Sequence, residues 1–200
     1  MEQRTAEWRA IRCGKATASR ISDALAQTKS GWGAGRANYM AQLVAERLTN
    51  ECAESFTSAA MQWGTDQEPQ ARLAYELTTG SDVLEEGFII HPDIPDAGAS
   101  PDGLVGDDGM LEIKCPNTAT HINTLRTKKI DKKYIIQMQW QLCCANRDWC
   151  DFVSYDPRLP APLNMFKKRV ERDGTDELEE QVCVFLAEVA AAVQELRNMM

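Results

Sequence analysis

The sequence predicts an α/β fold in which a central mixed β-sheet is flanked by helices. Segments with apolar residues three and four apart alternate with short runs rich in β-branched and aromatic residues. The predicted order is helices, strands, helices, strands and a final helix. The chain has 200 residues, of which 44% are hydrophobic and 26% charged, as in an ordinary globular protein. No linker or internal repeat divides it, so we expect a single domain over residues 1–200.

The first half of the chain is expected to be mainly helical. Thr17 can act as the N-cap of the first clear helix. The glycine-rich, basic segment 27–38 follows, and its composition predicts a mobile loop. Helices are then expected over residues 39–50 and 65–79, and the second of these ends at Gly80.

Most of the predicted strands lie in the second half. Residues 83–90 form an expected strand, and residues 100–116 form an expected β-hairpin that turns at residues 106–109. The remaining predicted elements before the last helix are two helices, 117–127 and 131–146, and two strands, 149–155 and 163–170.

The last predicted helix begins near Thr175, with Asp176 and Glu177 at the positive end of its dipole. Apolar residues then recur at steps of three and four, which gives one stripe along the helix. We expect this stripe to pack on the sheet or on a partner chain; its members are Leu178, Val182, Leu186, Val189, Val193 and Leu196.

The bulk composition argues against several classes of protein. No apolar run approaches the roughly 20 residues of a membrane span. The N-terminus is polar from its second residue, unlike a secretory signal. We therefore expect a cytoplasmic protein without membrane contacts. The net charge of −8 disfavours a protein that coats nucleic acid, but an enzyme can confine its basic residues to one face.

The predicted hairpin carries the residues that are most informative about chemistry. Glu112 and Lys114 are two apart on one strand, so they share a face while Ile113 points into the core. The turn returns Asp102 to their level, where cross-strand Cβ atoms lie about 5 Å apart. Two carboxylates at this distance repel each other unless a cation such as Mg²⁺ lies between them. A lysine beside the metal can orient or deprotonate a water and stabilise a phosphorane.

These three side chains therefore predict metal-dependent phosphodiester hydrolysis. The alternative is a surface hairpin that carries Asp102, Glu112 and Lys114 without any catalytic role. A Glu-x-Lys pattern alone is common in strands, so the choice depends on the rest of the chain.

Two other positions have both a functional and a structural interpretation. Pro69 is tolerated near a helix start, so we expect Glu68 in the first turn of its helix, where it can reach a metal site or pair with Arg72. Gln137 shares a helix face with Tyr134 and Gln141 among apolar neighbours. Such polar groups need partners, either within the core or at an active site.

The basic and cysteine residues leave further alternatives open. The densest basic cluster spans residues 128–133 and is either a solvated linker or a contact surface for DNA backbone. The seven cysteines lack the paired C-x-x-C spacing of common metal sites, so we expect no iron–sulfur cluster. A cluster would require the set Cys13, Cys143, Cys150 and Cys183.

Four motifs, in order along the chain, resemble those of the YqaJ-like viral recombinases, the lambda-type alkaline exonucleases of the PD-(D/E)XK nuclease superfamily. They are Trp8-Arg9-x-x-Arg12-x-Gly14-x-x-Thr17-Ala18-Ser19, Gly64-x-x-x-Glu68, the pair SPDGL (100–104) and LEIKCP (111–116), and Tyr134-x-x-Gln137-x-Gln139. The resemblance runs from Trp8 to Gln139.

This resemblance implies a PD-(D/E)XK restriction-endonuclease-like core and an exodeoxyribonuclease that uses Mg²⁺, with Mn²⁺ as a substitute. It implies 5′→3′ resection of one strand of linear double-stranded DNA into 5′-phosphomononucleotides for phage-type recombination by single-strand annealing. It further implies a ring-shaped homotrimer, a single-strand annealing protein as partner, and a phage or prophage origin in a bacterial host.

The matching positions would inherit the family's roles. Asp102, Glu112 and the backbone carbonyl of Ile113 would bind the metal, Lys114 would serve the nucleophile, and Glu68 would be a further catalytic carboxylate. The 5′-phosphate and DNA would be bound by Arg12, Ser19, Ser100, Gln137 and Tyr134.

Two rival functions on the same fold stay open. One is an iron–sulfur nuclease of the CRISPR-adaptation type. The other is a non-catalytic protein that binds DNA ends. The intact set of Asp102, Glu112 and Lys114 argues against the second, because a pure binding protein has no use for an unpaired metal site.

Overall fold

A computed structural model of the protein describes residues 2–29, 31–53 and 58–200. Its first half is mainly helical, as expected. The elements there are α1 (Ala6–Arg12), β1 (Ala16–Thr17), α2 (Ala18–Ala24), β2 (Gln27–Thr28), β3 (Gly31–Trp32), α3 (Ala34–Thr49) and α4 (Ala59–Thr79).

The second half supplies most of the strands. Its elements are β4 (Val83–Leu84), β5 (Ile89–Ile90), β6 (Ala97–Ala99), β7 (Gly103–Val105), β8 (Gly109–Lys114), α5 (Thr118–Thr127), α6 (Lys132–Ala145), β9 (Trp149–Tyr155), β10 (Met165–Glu171) and α7 (Thr175–Arg197).

The main sheet is mixed, which confirms the predicted fold class. Its strand order is β10-β9-β8-β7-β4. Strands β8 and β9 run parallel, whereas the other neighbours in this sheet are antiparallel. A smaller sheet has the order β1-β6-β5, and β1 pairs with β6 in parallel. Strand β8 has a strand on each side, β9 and β7. Helices α4, α5 and α6 contact this main sheet, so β8 lies inside the fold.

The predicted hairpin is present as β7 and β8. Gly106 adopts a φ of +56° at the turn, a conformation that glycine reaches without strain. A Cβ atom on Gly109 would lie 2.1 Å from the Trp149 ring, so a glycine is needed where β8 meets β9. These two glycines allow the hairpin to close tightly against the neighbouring strand.

The expected loop over residues 27–38 is largely wrong. Strands β2 and β3 form a short hairpin, and α3 begins at Ala34 instead of residue 39. Ser30, within that segment, lies outside the described residues. Arg36 is only 2% exposed, bonds Glu188 at 2.7 Å and stacks on Trp32 at 3.9 Å. These contacts extend the helix through residues whose composition indicated a loop.

Helix α4 begins six residues before the predicted start. Ser58 caps it by accepting a hydrogen bond from the Met61 amide at 3.2 Å. Pro69 consequently lies inside the helix, and the expectation that Glu68 occupies its first turn is wrong. Proline usually breaks a helix interior because it lacks an N–H. Here the preceding turns are fixed by the Ser58 cap, so the helix starts well before the proline.

The predicted strand over residues 83–90 is divided between two sheets. Strand β4 pairs with β7 at the edge of the main sheet, whereas β5 pairs with β6 in the smaller one. The sequence analysis missed β6, whose residues are small. A Cβ on Gly98 would lie 2.4 Å from the Phe88 ring, so this strand packs too closely for a larger side chain.

The apolar stripe of α7 packs mainly on helices, in a core cluster that includes no described strand residue of the main sheet. It contacts α2, α3 and α6 within one apolar core cluster. Phe185, which was not among the predicted members, is fully buried and stacks on Tyr39 with ring centroids 5.6 Å apart. Leu196 is 41% exposed, so the buried stripe ends before it. In the described part of the chain, no helix combines the length and apolar character that a membrane crossing requires.

Candidate active site

Asp102 and Glu112 face each other across the β7–β8 hairpin. Gly103 pairs with Leu111, and the Asp102 amide donates to the Leu111 carbonyl at 3.2 Å, which places Asp102 opposite Glu112. The Ile113 amide donates to Asp102 Oδ2 at 2.6 Å. Ile113 itself is buried in the core, as expected. The hairpin therefore produces the juxtaposition that the spacing of these residues predicts.

Glu112 is held by hydrogen bonds at both of its carboxylate oxygens. Oε1 contacts the Lys114 ammonium and accepts a hydrogen bond from Gln137 Nε2 at 2.6 Å. Oε2 accepts one from Gln141 Nε2 at 2.7 Å. The side chain is 1% exposed, so these three donors replace the water that would otherwise solvate the charge. Both glutamines come from α6, which packs against the sheet at this point.

Lys114 is a cation in this arrangement. Burial lowers the pKa of its ammonium. The negative charges of Glu112 and Asp102 raise the pKa by more than burial lowers it, so the net pKa lies above its ordinary value. A lysine that keeps its proton is suited to stabilising negative charge or orienting a water. It is less suited to removing a proton.

Asp102 is a buried carboxyl with two acidic side chains nearby. Burial raises the pKa of its carboxyl, the charges of Glu112 and Glu68 raise it further, and the charge of Lys114 opposes them. A divalent cation would relieve this repulsion. The available donors are carboxylate and main-chain oxygens, which are the ligands that Mg²⁺ prefers. The residues present therefore fit a hard divalent cation.

The donor set is small. Within residues 2–29, 31–53 and 58–200, no three His, Cys, Asp or Glu side chains are grouped so that they could hold a metal ion. Asp102 and Glu112 supply two carboxylates, so the other ligands must be main-chain or water oxygens. This is typical of Mg²⁺, which usually keeps several waters and binds one or two carboxylates.

The cysteines considered for an iron–sulfur cluster lie in different surroundings. Cys143 and Cys150 are buried, Cys183 is exposed, and Cys13 is partly exposed. In the described chain none of them belongs to a group that could hold a metal ion. The expectation that the protein uses Mg²⁺ and no iron–sulfur cluster stays a prediction.

Glu68 lies between two arginines and close to Asp102. It bonds Arg4 at 2.6 Å and Arg72 at 3.0 Å. The Arg72 Nε in turn donates to the Asp102 carbonyl at 3.3 Å. The expected ion pair with Arg72 is present. Glu68 is also close enough to Asp102 to raise its pKa, so the two interpretations of this residue are compatible.

Arg12 and Ser100 form a second polar site close to the carboxylates. Ser100 Oγ accepts hydrogen bonds from Trp8 Nε1 at 2.9 Å and Arg12 Nη1 at 3.2 Å. The Arg12 guanidinium stacks on the Trp8 ring at 3.9 Å, and burial lowers its pKa. None of the ion pairs among the described residues involves Arg12. Because Ser100 is two residues from Asp102, this preorganised cation lies near the Asp102 and Glu112 carboxylates.

The other three predicted DNA-binding residues do not contact the Arg12–Ser100 pair through any hydrogen bond among the described residues. Gln137 bonds Glu112, and Tyr134 lies beneath the Lys114 ammonium, 5.2 Å from its ring centroid. Ser19 is exposed in the first turn of α2. The structure thus brings Arg12 to Ser100, and Gln137 and Tyr134 to the β7–β8 hairpin.

The N-terminal segment reaches the site through contacts that the sequence analysis missed. Gln3 Nε2 lies 2.8 Å from the carbonyls of Glu86 and Pro101, and Arg4 bonds Glu68. Gln141 was recognised as part of a polar helix face, but its bond to Glu112 was not. Nothing in the local sequence around Gln3 or Arg4 signals these contacts.

Comparisons with solved structures identify close relatives of this fold. An alkaline exonuclease (LHK-Exo) from Laribacter hongkongensis is 51% identical with a TM-score of 0.90, over 98% of this chain and 97% of that one. The structure of LHK-Exo in complex with dAMP matches equally well, with 51% identity, the same coverage and a TM-score of 0.91. A phage-related exonuclease from Haemophilus somnus 129PT is 15% identical over 93% of this chain and 96% of that one. Its TM-score is 0.72, and at this low sequence identity the similarity shows a shared fold and nothing more.

The predicted PD-(D/E)XK-like core is confirmed by these similarities. A comparison with curated proteins gives no match. A family model described as the YqaJ-like viral recombinase domain matches residues 7–148. That range includes each of the four sequence motifs, so the resemblance on which the site was predicted is confirmed. With more than half of its chain matched, the protein belongs to the YqaJ-like viral recombinase domain family.

Proposed function

We propose that the protein is a metal-dependent 5′→3′ exodeoxyribonuclease that resects one strand of linear double-stranded DNA for phage-type recombination. The main observation in support is that Asp102, Glu112 and Lys114 lie together on one hairpin. Ser100, which is two residues before Asp102, brings Arg12 close to them through a hydrogen bond. The similarity to an alkaline exonuclease, one of whose structures is a complex with dAMP, supports the same activity.

Asp102, Glu112 and the carbonyl of Ile113 would hold the Mg²⁺ ion, and Mn²⁺ would also serve. Bound there, the ion would supply Lewis acidity and lower the pKa of a coordinated water. Gln137 and Gln141 hold the Glu112 carboxylate in position through hydrogen bonds from their side-chain amides. Lys114 would stabilise the charge that develops on the phosphate. Glu68 would accept a hydrogen bond from a water at the site once DNA or solvent displaces an arginine partner.

Arg12 and Ser100 would recognise the 5′-phosphate of the strand that is digested. A guanidinium binds a terminal phosphate through two parallel hydrogen bonds. Stacking on Trp8 holds the Arg12 guanidinium in place before DNA arrives, which reduces the entropy lost on binding. Gln137 and Tyr134 would contact the nucleotide at the reacting centre, and Ser19 would complete the DNA-binding surface.

The release of 5′-phosphomononucleotides is part of the proposal. So are a ring-shaped homotrimer and a partner that anneals the exposed single strand. These features are proposed because of the family to which the chain belongs. A ring would enclose the duplex and keep the enzyme on one DNA end through many cycles.

The test is digestion of a linear duplex labelled at either end, run beside a covalently closed circle with and without Mg²⁺. We expect the linear DNA to yield mononucleotides and one surviving strand, while the circle persists. Lys114→Ala serves as the inactive control. Rapid nicking of the circle would contradict an exonuclease, and DNA-end binding without any cleavage would favour the non-catalytic alternative.

A further inference from the structure

Five exposed lysines without an ion pair to any described residue lie close together on the surface of this acidic protein. Four of them lie in and around the connection between α5 and α6, and the fifth lies on the edge strand β10. All are exposed. None takes part in the ion pairs among the described residues. We call this group the lysine ridge, and its members are Lys128, Lys129, Lys132, Lys133 and Lys168.

The two segments of the ridge are joined by direct contacts. Lys168 Nζ lies 3.5 Å from the Lys128 carbonyl. The Lys128 ammonium lies 5.5 Å from the centroid of the Phe166 ring, on the same strand as Lys168. The edge of the main sheet and the α5–α6 connection therefore present their positive charges on one continuous surface.

The ridge leads into the reacting centre through one aromatic ring. The Lys133 ammonium lies 4.8 Å from the Tyr134 ring centroid, and the Lys114 ammonium lies 5.2 Å from the same centroid. Tyr134 stacks on Phe152, which fixes its position. Asp131, the acidic residue within this segment, caps α6 by accepting from the Lys133 amide at 3.0 Å. The lysine ridge is thus connected to Lys114 through the Tyr134 ring.

The neighbouring basic residues of the sheet behave differently. Lys167 and Arg169 both pair with Asp151, and Lys114 pairs with Glu112. Acidic residues exceed basic ones by eight in this chain, so carboxylates are available to neutralise surface lysines. Five neighbouring cations that form no ion pair with a described residue repel one another. An anionic ligand of extended shape would remove that repulsion.

We propose that the lysine ridge binds the phosphodiester backbone of duplex DNA next to the bond held at the reacting centre. This inference rests on the proposed nuclease function, and it assigns a surface that the reaction itself does not require. Each lysine–phosphate contact releases condensed counterions, so the logarithm of the binding constant falls with the logarithm of salt concentration by about 0.9 per contact.

The test is the salt dependence of duplex binding by Lys129→Gln/Lys132→Gln, measured in a Lys114→Ala background so that no DNA is cut. We expect the salt slope to fall by about 1.8, which corresponds to two lost contacts. The duplex carries 5′-hydroxyl ends so that a terminal phosphate does not contribute.

The matched control removes two positive charges that are not part of the ridge, as Arg147→Gln/Arg197→Gln. Arg147 lies beyond the C-terminal end of α6, about 20 Å along the helix from the ridge, at 1.5 Å per residue. The control should keep the parental slope. Equal slopes for the ridge variant and the parent, or equal losses in ridge and control variants, would overturn the proposal.

A kinetic readout separates failure of this inference from failure of the proposed function. With Lys114 intact, the ridge variant should show a KM that rises with salt more weakly than that of the parent, and an unchanged kcat at saturating DNA. A parent without nuclease activity would refute the proposed function alone, since the binding slopes are measured without cleavage.

Discussion

The amide of Gln141 holds the carboxylate of Glu112 from inside the protein. Gln141 is fully buried, and its Nε2 donates to Glu112 Oε2 at 2.7 Å. Its own Oε1 has no hydrogen-bond partner among the described residues. Burying an amide with one unsatisfied atom costs free energy of folding. The hydrogen bond to Glu112 is therefore the interaction that explains a glutamine at this buried position.

Replacing Gln141 should therefore weaken metal binding. In Gln141→Leu, Glu112 Oε2 would lose its donor, and we expect the affinity for Mn²⁺ or Mg²⁺ to fall by about 10- to 100-fold, as for other residues that orient metal ligands. Calorimetric titration of the metal measures this directly. Gln139→Leu is the control, because Gln139 lies on the same helix as Gln141 but donates to the Glu171 carbonyl of β10 and not to Glu112. Metal affinity equal to that of the parent would show that Gln141 has only a structural role.

Lys114 and the two carboxylates should fail in different ways. Lys114→Ala should abolish cleavage but retain DNA binding, since the ammonium acts on charge that develops in the transition state. Asp102→Ala and Glu112→Ala should lose both cleavage and measurable Mg²⁺ binding. Single-turnover rates combined with metal titration distinguish the two patterns. If any of these variants cleaves DNA at the rate of the parent, the replaced residue has no catalytic role.

A buried carboxylate at the end of β9 should make stability depend on acid. Burial raises the pKa of Asp156, but hydrogen bonds from Arg158 and Thr118 lower it more, and the net pKa is about 2. Because this folded pKa is depressed below its ordinary value, the carboxylate stabilises the fold above about pH 4. That stabilisation, about 2 kcal/mol, is lost as the pH falls from about 4 to about 2.

The measurement is urea unfolding of Asp156→Asn and the parent between pH 2 and pH 7. We expect the difference in unfolding free energy to be largest near neutrality and to shrink in acid. Asp107→Asn, in the exposed hairpin turn, is the control and should match the parent at every pH. A difference that does not change with pH would refute the assigned role of Asp156.

The geometry of the β7–β8 hairpin could be predicted because its information is local. Asp102, Glu112 and Lys114 lie within one turn-connected pair of strands, and strand periodicity alone determines which of them share a face. The contacts that support the site are not local. Arg4 and Glu68 are 64 residues apart, and Gln3 and Pro101 are 98 apart. Such pairs depend on the packing of whole elements, which residue patterns do not specify.

The errors in the fold have a similar origin. The glycines of residues 27–38 predict a loop, and Pro69 predicts a helix start, because both residue types act as local signals. In the structure, burial of Arg36 against Trp32 and capping by Ser58 extend both helices. The stripe on α7 was predicted well as a pattern, but its packing partner could not be chosen from one sequence.

The preference for phosphorylated ends is the sharpest test of the Arg12–Ser100 site. A 5′-phosphate carries about 1.5 to 2 negative charges, more than an internal phosphodiester. Charge-assisted hydrogen bonds to Arg12 should be worth about 1.5–3 kcal/mol, or roughly a 10- to 100-fold preference in rate. Initial rates on matched duplexes that differ only in the terminal phosphate measure this preference.

Arg12→Ala should erase most of that preference by slowing digestion of the phosphorylated duplex. Arg12→Lys should recover only part of it, because an ammonium keeps the charge but loses the bidentate geometry and the planar stack on Trp8. Arg9→Ala is the matched control, since Arg9 lies in the last turn of the same helix and is exposed. If Arg12→Ala and Arg9→Ala both keep the parental preference, the terminal phosphate is bound elsewhere and Arg12 serves only to hold Trp8 and Ser100 in place.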